Sequence, residues 1–171
     1  AYEVDWRDWS SDVCSSDLIE AIDTVTWIPK WGRERFYGMI ENRPDWCVSR
    51  QRAWGVPIAV FYCEKCGEIH MDPRVFEAIY DLFKTHGADV WFEDGQPPIV
   101  SPDTACARCG AKGLKKETDI LDVWFDSGVS HVAVLEKRQG LSWPADLYLE
   151  GSDQHRGWFH SSLLTAVGTR N

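Results

Sequence analysis

Four cysteines fall in two Cys-x-x-Cys-Gly knuckles, Cys63-Glu64-Lys65-Cys66-Gly67 and Cys106-Ala107-Arg108-Cys109-Gly110. Each knuckle offers two thiolates on a tight turn, and the glycine after its second cysteine allows that turn. Two such turns supply the four soft ligands of a tetrahedral zinc site. Four unmetallated thiols or an iron–sulfur site are the competing readings. A closed four-thiolate shell leaves no open position for water, so the ion would be structural and Cys63, Cys66, Cys106 and Cys109 its ligands. His70 lies near the first knuckle and is expected at the surface, because four sulfurs already fill the shell. Cys47 has no nearby base and is expected to pack rather than attack.

Three further strings end an apolar run in polar groups. The densest is Glu150-Gly151-Ser152-Asp153-Gln154-His155-Arg156, between the apolar residues 147–149 and a helical pattern that starts at Gly157. Strand, polar turn and helix start in that order make a place where a ligand can sit. Glu150, Asp153 and Gln154 can accept hydrogen bonds, and Gly151 lets backbone approach a ligand closely. Upstream, Arg50 and Arg52 can meet phosphates and Trp54 offers a stacking face. A salt-bridged strand with a packed tryptophan is the bland alternative. The string Asp122-Val123-Trp124-Phe125-Asp126-Ser127-Gly128 is the third. Its Asp126 and Ser127, with His131, are pocket groups or plain turn formers.

Taken together, these strings resemble the isoleucyl-tRNA synthetases, a class I aminoacyl-tRNA synthetase family. The Arg50 segment, with Trp46 just before it, resembles the chain's re-entry into the catalytic domain after the editing insertion, near the tRNA acceptor end. Leucyl and valyl relatives share that likeness but lack the Glu150 string, which selects isoleucine. The resemblance covers residues 25–170 and implies an α/β fold. That fold is a partial Rossmann-like class I synthetase catalytic domain with an inserted zinc-ribbon-like subdomain. It places Glu150, Gly151, Asp153 and Gln154 around an isoleucyl-adenylate. Trp124 and Trp158 then become the walls of a branched aliphatic pocket, since two indoles give contact area without demanding hydrogen bonds. His155 is not needed as a base, because the attacking carboxylate is already ionised. It is expected beside the phosphate path or supporting the turn.

The implied reaction is ATP-dependent attachment of isoleucine to tRNA(Ile), with Mg2+ in the full enzyme, which is expected to be a monomer. The family's two ATP-phosphate signatures, a His-x-Gly-His type and a Lys-Met-Ser-Lys-Ser type, are missing from the chain. The first is expected upstream and the second beyond Asn171. The isolated piece is therefore expected to be inactive. The alternative function is a free-standing zinc-ribbon module for a protein or RNA partner. It explains the knuckles but leaves the Glu150 string unexplained.

Residues 8–18 stand apart. They hold two Ser-Ser-Asp units with little periodicity, and they resemble the in-frame translation of a short-read sequencing adaptor. Residues 1–18 are thus expected to be foreign, and Cys14 drops from the metal count. The remainder divides into a return to the catalytic domain (19–62), the zinc-ribbon-like insertion with its helix (63–118) and the end of the Rossmann core (119–171).

The elements that must carry these residues follow from periodicity. Apolar positions Phe36, Met39 and Ile40 predict a short helix over 31–41, which residues 42–45 break. Asp72-Pro73 is an N-cap with proline at the first helical position. Val75, Phe76, Ile79, Tyr80, Leu82 and Phe83 give the stripe that follows, and Gly87 is the stop. Short strands are expected at 56–62, 120–125 and 147–149, a loop at 96–103 and a last helix over 159–167.

Composition bounds the rest. The 171 residues are 44% apolar and 26% charged, ordinary for one globular domain or two small ones. A net charge of −9 argues against a general nucleic-acid coat but leaves room for a local basic patch. Ten tryptophans are unusual; an aromatic core is the plain reading. There is no span or signal-like start, so the chain is expected to be cytoplasmic, with no membrane partner.

Overall fold

The computed structural model describes residues 12–42, 46–94 and 99–170, with side chains from Ser16 onward. In chain order its elements are helices α1 (Asp12–Asp23) and α2 (Trp31–Glu41) and strands β1 (Ser49–Arg50) and β2 (Phe61–Cys63). Helix α3 (Pro73–His86), β3 (Leu114–Lys116), β4 (Ile120–Leu121), α4 (Val123–Gly128) and α5 (Trp158–Arg170) follow. A 3-10 turn over Ser152–Arg156 leads into α5. The chain forms two compact units. One comprises the residues up to Val48 and from Val123 on, the other Ser49–Asp122.

The first unit is helical. Leu18, Ile22, Phe36 and Ile40 are buried together, with Trp27, Met39, Phe159, Leu163, Leu164 and Val167 packed against them. Helix α2 is amphipathic as its spacing predicts, burying Phe36 and Ile40. Helix α5 buries two faces. Its leucines and Val167 meet the α1–α2 core, while Ser161 and Thr165 are buried where α4 crosses. That crossing is close because of Gly128: a Cβ there would stand 2.8 Å from the Ser161 carbonyl oxygen and 3.1 Å from Thr165 Cγ2. The Thr165 hydroxyl donates to the Gly128 carbonyl at 2.8 Å and fixes the contact. Helix α1 runs through the expected junction at residues 18 and 19 without a break. Residues 1–11, which include part of the adaptor-like string, lie outside the described residues, as does the side chain of Cys14.

The second unit holds two antiparallel pairs. Strand β1 pairs with β4 (Ser49 opposite Leu121, Arg50 opposite Ile120), and β2 with β3 (Phe61 opposite Lys116, Cys63 opposite Leu114). Helix α3 starts as its sequence directs, with the Asp72 carboxylate accepting from the Arg74 N–H at 2.9 Å and Pro73 in the first turn. It ends at Gly87, whose φ of 83° only glycine adopts readily. Val75 and Ile79 of α3 pack with Phe61 and Trp91, and the Trp91 indole N–H donates to the Glu117 carbonyl at 2.8 Å.

Three strand expectations need correction. Residues 147–149 are not a buried strand: Leu147 and Leu149 are 77% and 79% exposed and no described strand lies beside them. An extended segment without a neighbour has nothing to bury its apolar residues against. Residues 120–125 form a strand only at Ile120–Leu121, after which α4 begins and the Ser127 hydroxyl bonds back to the Val123 carbonyl. Residues 56–62 are strand only at their end, with one isolated antiparallel bridge from Pro57 to Ile120 upstream of it. Of the expected break at 42–45, residues 43–45 lie outside the described residues, as do residues 96–98 of the expected loop at 96–103. Among the described residues, no helix is long and apolar enough to cross a membrane.

Candidate functional site

The four cysteines come together from two matching hairpins. In each, the glycine after the knuckle donates to the first cysteine's carbonyl: Gly67 to Cys63 at 2.8 Å and Gly110 to Cys106 at 2.9 Å. Both glycines have positive φ, 72° and 69°. The β2–β3 pairing brings Cys63 opposite Leu114, and so fixes one knuckle against the chain that leaves the other. Cys63 and Cys109 sulfurs lie 3.6 Å apart, as do those of Cys66 and Cys106, and all four lie within 4.8 Å of one another.

A zinc ion at about 2.3 Å from each sulfur of a regular tetrahedron requires sulfurs about 3.8 Å apart. The cluster therefore fits zinc with little rearrangement. Backbone N–H groups of Cys66 and Lys65 bring the Cys63 thiol down to about 7 against its burial. The Glu68 N–H favours the Cys66 thiolate, but burial and the neighbouring sulfurs win and push that thiol up to about 12. Four thiolates this close need a cation between them. His70 is half-buried, with its backbone N–H donating to the Phe61 carbonyl.

Arg50 and Asp122 form an ion pair across β1 and β4, at 2.5 Å, and Asp122 is almost fully buried. The ion pair matches the salt-bridged alternative left open for Arg50, and its partner Asp122 follows directly on β4. Arg52 is exposed, and so is Trp54, at 92%. Cys47 is also exposed, contrary to the expectation that it packs.

The other candidates gather around the start of α5. Glu150, Gly151 and Asp153 are exposed, and Gln154 is half-buried. The Gln154 side-chain carbonyl accepts from the Trp158 backbone N–H at 2.9 Å, so it satisfies one of the helix's open donors. Its amide donates to Asp153 at 3.2 Å. Asp153 folds back over Gly151, where a Cβ would meet its carboxylate oxygen at 2.6 Å. The Trp158 indole N–H donates to the Ser127 carbonyl at 2.9 Å, tying α5 to α4. Trp158 stacks on Tyr148, with ring centroids 3.9 Å apart. Trp124 reaches the same turn from α4: a Cβ on Gly157 would lie 3.2 Å from the end of its indole and clash with Gln154 Oε1. Thus Gln154, Trp124 and Trp158 are brought together, and Glu150 leads into them. Glu150 is close enough for its charge to help hold the Tyr148 phenol above its ordinary value, though burial is the main cause.

Tyr148 was missed from sequence because it sits between two exposed leucines; the signal was its alternation with them. Its hydroxyl bonds Ser162 at 2.6 Å. His155 packs edge-on to Phe36 at 5.8 Å, and its buried Nδ1 has no hydrogen-bond partner among the described residues. His131 bonds the Gly128 carbonyl at 3.1 Å. Beside Trp124 lies a pocket of about 380 Å³, walled among others by Met39, Trp46, Arg156, Gly157 and His160.

Comparison with known proteins agrees with these motifs. The family described as tRNA synthetases class I (I, L, M and V) matches residues 7–171. An isoleucine–tRNA ligase of Geobacter sulfurreducens is 64% identical over 166 residues, which is 95% of this chain and 18% of that protein. One from Syntrophotalea carbinolica is 63% identical over 149 residues, 87% of this chain and 16% of that protein. A third, from Desulfovibrio desulfuricans, is 59% identical over 169 residues, again 95% of the chain and 18% of the relative. The chain spans less than a fifth of the length of these relatives. With its mixed helices and strands, it belongs to the class I tRNA synthetases of the isoleucine, leucine, methionine and valine group.

Proposed function

We propose that this chain is part of the catalytic domain of an isoleucine-specific synthetase, with a Rossmann-like sheet completed by segments outside it. The turn before α5 holds the activated amino acid. In the first step the isoleucine carboxylate attacks the α-phosphate of ATP, forming the mixed anhydride and releasing pyrophosphate. In the second, a terminal ribose hydroxyl of tRNA(Ile) attacks the acyl carbonyl and AMP leaves. Both steps depend on positioning and charge stabilisation.

Glu150 and Asp153 accept from the substrate ammonium and the ribose hydroxyls, which are donors. Gly151 leaves room for the ligand against backbone. Gln154 uses its carbonyl to hold the start of α5 and turns its remaining hydrogen-bonding capacity to the adenylate. Trp124 and Trp158 wall the branched side chain. Arg52 and Trp54 offer a cation and a stacking face to the acceptor end, while Asp122 sets the direction of Arg50. A magnesium ion arriving with ATP would supply charge neutralisation at the phosphates. Zinc at Cys63, Cys66, Cys106 and Cys109 is structural, because four thiolates close its shell.

The observation that carries this reading is the meeting of Gln154, Trp124 and Trp158 at the turn that Glu150 enters. Calorimetric titration with a non-hydrolysable isoleucyl-adenylate analogue tests it. The chain should bind the analogue, with at least a tenfold loss in Glu150→Ala and in Trp158→Ala. Binding unchanged in Glu150→Ala, or a leucyl analogue bound equally well, would sink the proposal. Discrimination against valine should stay modest, since one methylene in an apolar pocket is worth only about 1–3 kcal/mol.

A further inference from the structure

Tyr148 grips α5 at two levels. Its ring lies on the Trp158 indole, with centroids 3.9 Å apart and planes inclined at 34°. Its hydroxyl bonds the Ser162 hydroxyl at 2.6 Å. Positions 158 and 162 stand one above the other on a single face of the helix, so one side chain spans a full turn of it. Leu147 and Leu149 on either side are exposed, whereas Tyr148 is half-buried. Of these three residues only the tyrosine turns in.

Trp158 needs such a hold. It opens α5, so no earlier turn of that helix restricts its rotamer. The indole N–H donates to the Ser127 carbonyl at 2.9 Å, which fixes one edge of the ring. A bond at one atom leaves the plane free to tilt about it. A second flat ring lying on the indole removes that freedom, because aromatic pairs favour set arrangements of their faces and edges. Orientation matters at this position. Isoleucine and leucine side chains have the same atoms and no hydrogen-bonding group, and differ only in where they branch. A wall that tells them apart must do so by shape, and it has a shape only if its angle is held.

We infer that Tyr148 is a positioning residue for amino-acid selectivity: it sets the plane of the Trp158 indole, and so the shape of the wall that a β-branched side chain meets. The inference rests on the reading of the turn before α5 as the seat of an isoleucyl-adenylate, and it names what gives that seat its preference. A merely structural role for Tyr148 has a different signature. Glu150 follows two residues on, and a displaced segment would weaken every adenylate alike through that carboxylate. A tilted indole changes the ratio between side chains instead.

The test is calorimetric titration of the 171-residue chain with isoleucyl- and leucyl-adenylate analogues, read as the ratio of their two dissociation constants. Tyr148→Ala should narrow the preference for the isoleucyl analogue about fivefold, the scale of effect that one aromatic pair supplies. Tyr148→Phe keeps the ring and loses only the bond to Ser162, so it should retain the parent's ratio within about twofold. In a Trp158→Ala background, Tyr148→Ala should leave the ratio where Trp158→Ala alone put it, since a residue acting through another adds nothing once that other is gone. Circular dichroism confirms the fold of each variant. Tyr148→Leu, which fills the space without a flat face, carries the test if Tyr148→Ala does not fold. A folded Tyr148→Ala or Tyr148→Leu variant that weakens both analogues equally overturns the inference, as does a Tyr148→Phe variant no more selective than Tyr148→Ala. A further narrowing in the Trp158→Ala background overturns it too. A parent that binds neither analogue, or both equally, defeats the adenylate reading and this inference with it. A parent that prefers the isoleucyl analogue, with that preference kept in Tyr148→Ala, defeats this inference alone.

Discussion

Gly128→Ala should destabilise the helical unit, although it adds a single methyl group. The new Cβ would stand 2.8 Å from the Ser161 carbonyl oxygen, 3.0 Å from its carbonyl carbon and 3.1 Å from Thr165 Cγ2. Two of these neighbours are backbone of α5, so no rotamer change relieves the clash and the helix itself must move. Overpacking of this kind costs about 1–3 kcal/mol. For a chain of this size that corresponds to a fall in Tm of roughly 2–12 °C. Thr165→Val is the control. It removes the hydroxyl that donates to the Gly128 carbonyl at 2.8 Å but keeps the volume, at a cost of about 1 kcal/mol. Urea and thermal unfolding of both variants decide which matters more, close approach or hydrogen bond. Because Trp124 and the carbonyl that binds Trp158 both lie on α4, Gly128→Ala should also weaken adenylate-analogue binding. An unfolding midpoint for Gly128→Ala at or above that of the parent would refute the close-crossing account.

Metal analysis of the purified chain should find one zinc per chain, and Cys63→Ser or Cys109→Ser should abolish it. Chelation should then expose Trp91, seen as a red shift of its emission; an unshifted spectrum with the metal gone would show that the hairpins stand without it. The Asp72 carboxyl is held down at about 2, first by its hydrogen bond to the Arg74 side chain and then by the Arg74 backbone N–H. A depressed carboxyl stabilises the fold above its unfolded value near 3.8 and loses that contribution as pH falls toward about 2. Helix α3 should therefore fray at its start across that acid window, and Asp72→Asn should remove the dependence. An NMR titration placing Asp72 at an ordinary carboxylate value would contradict the cap.

Helices α2 and α3 were legible because each carries its own signal. In α3, Asp72, Pro73, the Val75–Ile79 stripe and Gly87 are all local, and local rules settled where it starts and stops. The knuckles were legible for the same reason, since a turn that presents two thiolates is written within five residues. The strands were not. Residues 147–149 have the apolar run of a buried strand, yet a strand exists only beside a partner, and none is described there. Arg50 looked like a phosphate ligand because its partner, Asp122, is distant in sequence and meets it only through the β1–β4 register. The pocket at Trp46, Trp124 and Arg156 was hidden likewise, although each residue stands inside a string that drew notice.

Residue types and spacing by themselves determined the family, the four sulfurs, the caps of α3 and the turn that Glu150 opens, because these depend on groups within a few bonds of one another. Tertiary structure alone decided that Gln154 spends a carbonyl on α5 and that Trp158 lies on Tyr148. It alone brought α4 and α5 into contact through a glycine, and paired Arg50 with a buried carboxylate. Such choices follow from which distant segments share a space, and close packing admits few arrangements of the groups that meet there.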